Sequence, residues 1–280
     1  GQAAPPYPPA PSVVEHVREV ARSPLGHAYV GGPGLEPLRA AFAADLTAAY
    51  RAPVDAADVV VTAGCNQAFC LVMGALTEPG DEVVTVLPAY FNHDMWLRMN
   101  GLRPVYLDPG PDLVPSPDAA AALLTPRTRA IVLVTPGNPT GVTIPPAVIT
   151  GFAALARERG VALVLDETYR SFRGTTAPAH ELFADPAWRD TVVSLHSFSK
   201  DLAIPGYRVG AVVASAELNR EVLKLLDCVA IERAVPLSAG VANKAITRRH
   251  TQERVDELRA DAEAAGFDPS ERATRWELQL

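Results

Sequence analysis

An α/β fold built on a mainly parallel, seven-stranded sheet flanked by helices follows from two observations on this sequence. Short β-branched runs alternate with amphipathic stretches, and several of those runs are apolar at every position rather than at every second one. Alternating strand and helix patterns give a parallel sheet covered by helices. Strands covered on both faces read as continuous apolar runs.

The predicted strands are Val59–Thr62, Glu82–Val86, Pro104–Leu107, Ala130–Thr135, Ala162–Leu165, Val192–Leu195 and Val209–Ala214. Between them the pattern predicts helices at Leu35–Ala49, Asn66–Leu76, Asn92–Met99, Pro117–Leu124, Pro146–Arg159 and Ala216–Val229. Pro79-Gly80-Asp81 and Pro109-Gly110-Pro111 mark turns. Residues Gln2 to Pro9 form a proline-rich extended segment, read as an N-terminal arm lying on a neighbouring surface, with a proline ligand for a recognition domain as the alternative.

A chain of 280 residues can bury one large domain, or one large and one small. The net charge of -7, with no basic stripe, argues against nucleic acid or an acidic membrane as partner. Cys65, Cys70 and Cys228 have neither metal-site nor disulfide spacing, so no metal is expected and a reducing cytoplasm fits. The expected chain has no membrane span and no signal peptide.

In such sheets, ligands bind beyond the carboxyl ends of the strands. The first strand runs into Gly64-Cys65-Asn66 and then a helix, a turn that can offer backbone N–H groups to a phosphate or be a plain tight turn. The second ends in Pro88-Ala89-Tyr90, an aromatic that can cover a flat ligand or simply pack. The fourth ends in Asn138-Pro139-Thr140-Gly141, a turn sequence with an amide donor. The fifth ends in Asp166-Glu167-Thr168-Tyr169, where an acid directly after four apolar residues needs a partner, unless it caps a helix. The sixth leads into His196-Ser197-Phe198-Ser199-Lys200, and Arg208 follows. Partial burial and a nearby cation would lower the lysine pKa and make it an amine nucleophile. His196 is read as structural, while His27 and His93 lie where they can touch a substrate.

Each signal is weak alone, but together they answer the needs of pyridoxal phosphate (PLP). Lys200 supplies an amine for the aldehyde, and Asp166 a partner for the ring nitrogen. Asn138 and Tyr169 would donate to the phenolic oxygen, and Tyr90 would stack on the ring. Arg208, Ser197, Ser199 and the turn Gly64, Cys65, Asn66 would hold the phosphate.

The chain resembles the class I/II aminotransferase family of fold-type I PLP enzymes. The matching stretches are Tyr29 with Gly34-Leu35-Glu36-Pro37-Leu38-Arg39, Gly64 to Ala68, Pro88 to Tyr90, Asn138 to Gly141, Asp166 to Tyr169, Ser197 to Lys200 and Gly206 to Gly210. The resemblance implies an aspartate aminotransferase-like fold and a cytoplasmic homodimer with active sites at the interface. It implies that Tyr29 reaches the phosphate of the partner subunit, and that the arm around Ala3 and Ala4 closes over substrate. It also implies transfer of an amino group between an amino acid and a 2-oxo acid through a Schiff base on Lys200, as in amino acid metabolism and biosynthesis, with Lys200, Asp166 and Tyr169 catalytic.

After about Ile231 the resemblance fades, and Glu232–Leu280 is expected to be an atypical, shortened segment with one helix, Thr251–Ala265. The expected organisation is an arm and small-domain part over residues 1–30, a PLP-binding large domain over 31–231, and the reduced small-domain segment over 232–280. No arginine for the substrate carboxylate is assigned there, neither Arg272 nor Arg275. A truncated reading, a short family member and a protein without turnover stay open. A PLP lyase or cyclising enzyme, or a non-catalytic PLP-binding protein, are the functional alternatives, because fold does not fix chemistry.

Overall fold

The computed structural model describes residues 5–28 and 30–229. In chain order the elements are α1 (Pro11–Arg22), α2 (Glu36–Tyr50), β1 (Val59–Thr62), α3 (Cys65–Leu76), β2 (Glu82–Val86), α4 (Phe91–Met99), β3 (Arg103–Leu107), α5 (Pro117–Ala121), β4 (Thr128–Val134), α6 (Pro146–Arg159), β5 (Ala162–Asp166), β6 (Val192–Ser197), β7 (Gly210–Val213) and α7 (Ala216–Val229). The expected helix Thr251–Ala265, the arm at Ala3 and Ala4, and the segment 232–280 lie outside the described residues.

The seven strands form one sheet in the order β1-β7-β6-β5-β4-β2-β3. The pairs among β3, β2, β4, β5 and β6 are all parallel, and β7 runs antiparallel to both of its neighbours. Pro104 falls on β3, at the sheet edge, where a missing ladder donor is tolerated.

The apolar strands read as they do because each face meets its own helical layer. Val59, Val61, Ile131, Leu133, Leu163 and Leu165 pack on one face with Leu38, Phe42 and Leu46 of α2 and Ile149 and Phe152 of α6. The intervening Val60, Ala130, Val132 and Val164 pack on the other with Phe69, Val72 and Met73 of α3 and Leu226 of α7. The period of two therefore survives, hidden by hydrophobicity on both sides.

Where structure and expectation differ, local causes are visible. The helix α1 was not expected; Pro11 sits at its first position, where the lacking N–H costs nothing, and only Val13 and Val20 are buried along it. The helix α5 stops at Ala121 instead of Leu124. Asp166 ends β5 and accepts a hydrogen bond from the Thr168 N–H at 3.0 Å, so it makes a turn and does not cap a helix. Among the described residues no helix is long and apolar enough to cross a membrane, and no cluster of His, Cys, Asp and Glu is placed to hold a metal.

Candidate active site

The carboxyl ends of β1, β2, β4, β5 and β6 meet along one edge of the sheet. The register sets Asp166 opposite Val134 on one side and Leu195 on the other, and it pairs Ser197 with Gly210 and Gly210 with Thr62. Because β7 is antiparallel, its start lies at this same edge. That reversal delivers Arg208, two residues before β7, to the turn after β1.

Gly64 precedes α3 with φ 86°, a left-handed conformation that favours glycine. A Cβ there would lie 2.3 Å from Nη2 of Arg208, so any side chain would push the guanidinium away from this turn. The Arg208 Nη2 donates to the carbonyl of Ala63 at 3.3 Å and Nη1 to that of Pro205 at 3.0 Å. No side chain caps α3, and the first N–H groups of a helix have no partner within it. A guanidinium is thus held over the positive end of a helix. Two electropositive features brought together this closely suit an anion between them.

Ser197 and Ser199 are both buried beside this turn, and the Ser199 N–H donates to the Ser197 hydroxyl at 3.2 Å. Lys200 follows in the loop leading to β7 and is half-buried. Burial first, then the charge of Arg208, holds its pKa below the usual lysine value. The amine is therefore easier to deprotonate than a surface lysine, as a nucleophile or base requires.

Asp166 is 4% exposed and turns toward α3 and α4. Its Oδ2 lies 3.4 Å from Nε2 of His93, which makes no hydrogen bond of good geometry. His93 stacks on Phe69 with ring centroids 3.7 Å apart, and Tyr90 meets it edge-on at 5.0 Å. Burial pushes His93 down to about 4, with Asp166 opposing the shift, so the ring is neutral at pH 7. Cys65 is buried against Asp166 and Thr168; burial and the neighbouring carboxylate raise its thiol pKa well above the ordinary value.

Tyr169 is hydrogen-bonded to Asn138, and its pKa is pushed up to about 12 by burial first, then by Asp166 and Tyr90. Its hydroxyl therefore stays a donor at any physiological pH. The Tyr90 hydroxyl accepts from Nδ2 of Asn92 at 2.9 Å and reaches Oδ1 of Asn66 at 3.4 Å.

The structure thus brings Gly64, Cys65, Asn66, Tyr90, Asn138, Asp166, Tyr169, Ser197, Ser199, Lys200 and Arg208 to one edge. Tyr29 and the side chain of His27 lie outside the described residues. His93, read from the sequence as able to touch a substrate, is buried beside Asp166, three residues after Tyr90. The polar set behind the sheet edge, Tyr50, His180 and Ser194 around Glu167, left no local pattern in the sequence.

The fold, with this sheet edge, is that of an aspartate aminotransferase-like protein. The family model described as aminotransferase class I and II matches residues 1–265, and the chain belongs to that family. The match runs past Ile231, farther along the chain than the recognisable short stretches extend. An aromatic aminotransferase of Arabidopsis thaliana is 29% identical over 243 residues, covering 84% of this chain and 59% of the relative. An aspartate/prephenate aminotransferase of Thermus thermophilus is 31% identical over 217 residues, covering 73% and 54%. The structure of a Thermus thermophilus aspartate aminotransferase with maleate superposes with a TM-score of 0.85 at 23% identity, over 94% of this chain and 68% of that one, a likeness of fold. The chain therefore spans little more than half the length of those two curated relatives.

Members of this family use pyridoxal phosphate. The donor set fits it: an anion cradle at Gly64 and Arg208, an amine of lowered pKa at Lys200, a buried carboxylate at Asp166, and a hydroxyl held protonated at Tyr169.

Proposed function

We propose that this chain carries the catalytic centre of a PLP-dependent aminotransferase, moving an amino group between an amino acid and a 2-oxo acid. The observation that carries the reading is the shared sheet edge of Lys200, Asp166 and the Gly64–Arg208 cradle. When bound, the cofactor supplies an aldehyde that condenses with amines and a ring that accepts electron density from the substrate α-carbon.

The chain's own groups divide the remaining work. Arg208, the hydroxyls of Ser197 and Ser199, and the backbone N–H groups following Gly64 hold the phosphate, with Cys65 and Asn66 contributing through their main chain. Asp166 would hold the proton on the ring nitrogen. Tyr169 and Asn138 would donate to the phenolic oxygen, and Tyr90 would stack on the ring. The Lys200 amine would form the covalent link to the cofactor aldehyde and, when free, would move the proton at the substrate α-carbon; burial beside Arg208 suits it to act as base.

The proposal extends to a homodimer in the cytoplasm, serving amino acid metabolism or biosynthesis, with Tyr29 reaching the phosphate site of the second copy. It also takes residues 31–231 as the cofactor-binding domain, with 1–30 as the arm and 232–280 as the C-terminal segment. Family membership supports these readings, and among the described residues the seven strands fall within residues 59–213.

The test is to incubate the protein with PLP, reduce with borohydride and map the added mass by peptide mass spectrometry. The expected label sits on Lys200, is absent from Lys200→Ala, and is followed by transfer of amino nitrogen from an amino acid to a 2-oxo acid. A label elsewhere overturns the lysine assignment. Release of ammonia without any acceptor overturns transfer in favour of elimination.

A further inference from the structure

The segment from Asp166 to Arg170 faces two ways. Asp166 and Tyr169 turn to the sheet edge described above. Glu167 and Arg170 turn to the opposite side, into α2. There Tyr50 donates its hydroxyl hydrogen bond to Oε1 of Glu167, and Arg170 pairs with the Asp45 carboxylate. Glu167 is 1% exposed, and Asp45 and Tyr50 are also buried.

The same glutamate reaches the strand that leads to Lys200. Ser194 of β6 donates to its Oε2 at 2.5 Å. The Ser194 hydroxyl, its proton so committed, accepts from Nε2 of His196 at 2.9 Å. His180 accepts the Leu182 N–H on Nδ1 at 3.3 Å, which leaves its proton on Nε2, 3.6 Å from Oε2 of Glu167. Burial would raise the Glu167 pKa, but His180 and then His196 and Ser194 outweigh it and hold it well below the usual range. Burial keeps His196 neutral, at about 3, against the pull of Glu167. One ionised carboxylate thus takes its hydrogen-bond donors from α2 and β6, with Nε2 of His180 close by but not hydrogen-bonded to it.

Buried charge is costly, and well-packed apolar side chains at such places are often no less stable. This network therefore needs a reason beyond stability. Its members interleave with the site residues along the chain: 166 and 169 forward, 167 and 170 back, with the Arg170 N–H bonded to the Glu167 carbonyl at 3.0 Å in a tight turn. A rotation of that turn that freed Glu167 would carry Asp166 and Tyr169 away from the sheet edge.

We infer that Glu167 and Arg170 are positioning residues, through which α2 locks the turn that presents Asp166 and Tyr169 to the cofactor. The inference rests on the PLP reading above. A hydrogen bond to a buried charge contributes on the order of tenfold or more to an equilibrium.

The test uses Tyr50→Phe and Ser194→Ala, each removing one hydroxyl donor to Glu167, beside Phe152→Leu in α6 as a core control of matched melting temperature. Readouts are the dissociation constant for PLP and the visible circular dichroism per bound cofactor at saturation, which reports ring orientation. The expected result is about a tenfold weaker PLP affinity and an altered dichroism in both hydroxyl variants, with the control unchanged in each. If the control weakens PLP equally, or if the hydroxyl variants match the parent protein, the network is structural only and the inference is overturned. If the parent protein itself takes no PLP on Lys200, the functional reading falls first and the inference with it.

Discussion

The two sides of the turn after β5 are built on opposite principles. Behind it, Glu167 and Asp45 are buried; Glu167 accepts from Tyr50 of α2 and Ser194 of β6, and Asp45 of α2 pairs with Arg170. In front, Lys200 and Tyr90 are half-buried, Asn66 and Arg208 are exposed, and the first turn of α3 has no side-chain cap. The difference teaches where binding free energy is held. The rear carboxylates find their donors within the protein, although Nε2 of His180 and Nδ1 of His196 make no hydrogen bond there, whereas the front keeps donors and charges directed toward one small region. Asp166 belongs to the front although it is buried, because it lies beside Cys65 at the start of α3 and His93 of α4.

The sharpest way to break the comparison is a pair of substitutions one residue apart. Glu167→Ala leaves buried donors unpaired and is expected to cost roughly 3–5 kcal/mol of stability. Asp166→Ala is expected to change stability by less than about 1 kcal/mol while weakening PLP binding by roughly a hundredfold or more. Thermal melts and PLP titrations of both variants check this. Equal losses of stability would erase the distinction between the two sides.

Acid should attack both sides through their histidines. His196 behind the turn and His93 in front are held by burial at about 3 and about 4, against 6.5 when exposed. The unfolded chain therefore binds protons first as pH falls. The stability these residues contribute is complete above about pH 6.5 and is lost progressively toward pH 4 and then 3, by roughly 3 kcal/mol or more for each. Melting temperature recorded against pH checks the slope, and His196→Asn should flatten it at the acid end.

A smaller effect sharpens the picture at the phosphate cradle. Gly64→Ala places a methyl 2.3 Å from Arg208 at a positive φ, so the guanidinium must move. Stability should fall by about 1–2 kcal/mol. Affinity should fall about tenfold or more for PLP and much less for pyridoxal, which lacks the phosphate. Equal losses for the two compounds would show that the turn does not serve the phosphate.

Much of this was legible along the chain. Residues Val59–Thr62, Glu82–Val86 and Pro146–Arg159 occupy their expected elements residue for residue, because apolar runs, turn prolines and helical spacing are local signals. The polar residues ending those strands were legible too, since an acid or lysine directly after an apolar run is conspicuous. Determined by sequence alone, then, were the strand and helix segments, the covering of the sheet on both faces, and the chemical types gathered at its carboxyl edge.

Tertiary structure decided the rest. Nothing local announces that β7 runs antiparallel between β1 and β6, yet that reversal is what lays Arg208 over Gly64, 144 positions earlier in the numbering. Nor does any spacing announce Tyr50 against Glu167, 117 positions apart, or Asp45 against Arg170, 125 apart. The physical reason is the same in each case. Burial leaves a periodic trace because an entire element must face the core, whereas a single long-range polar pairing depends on how elements stack and leaves no trace within either partner's own stretch of chain.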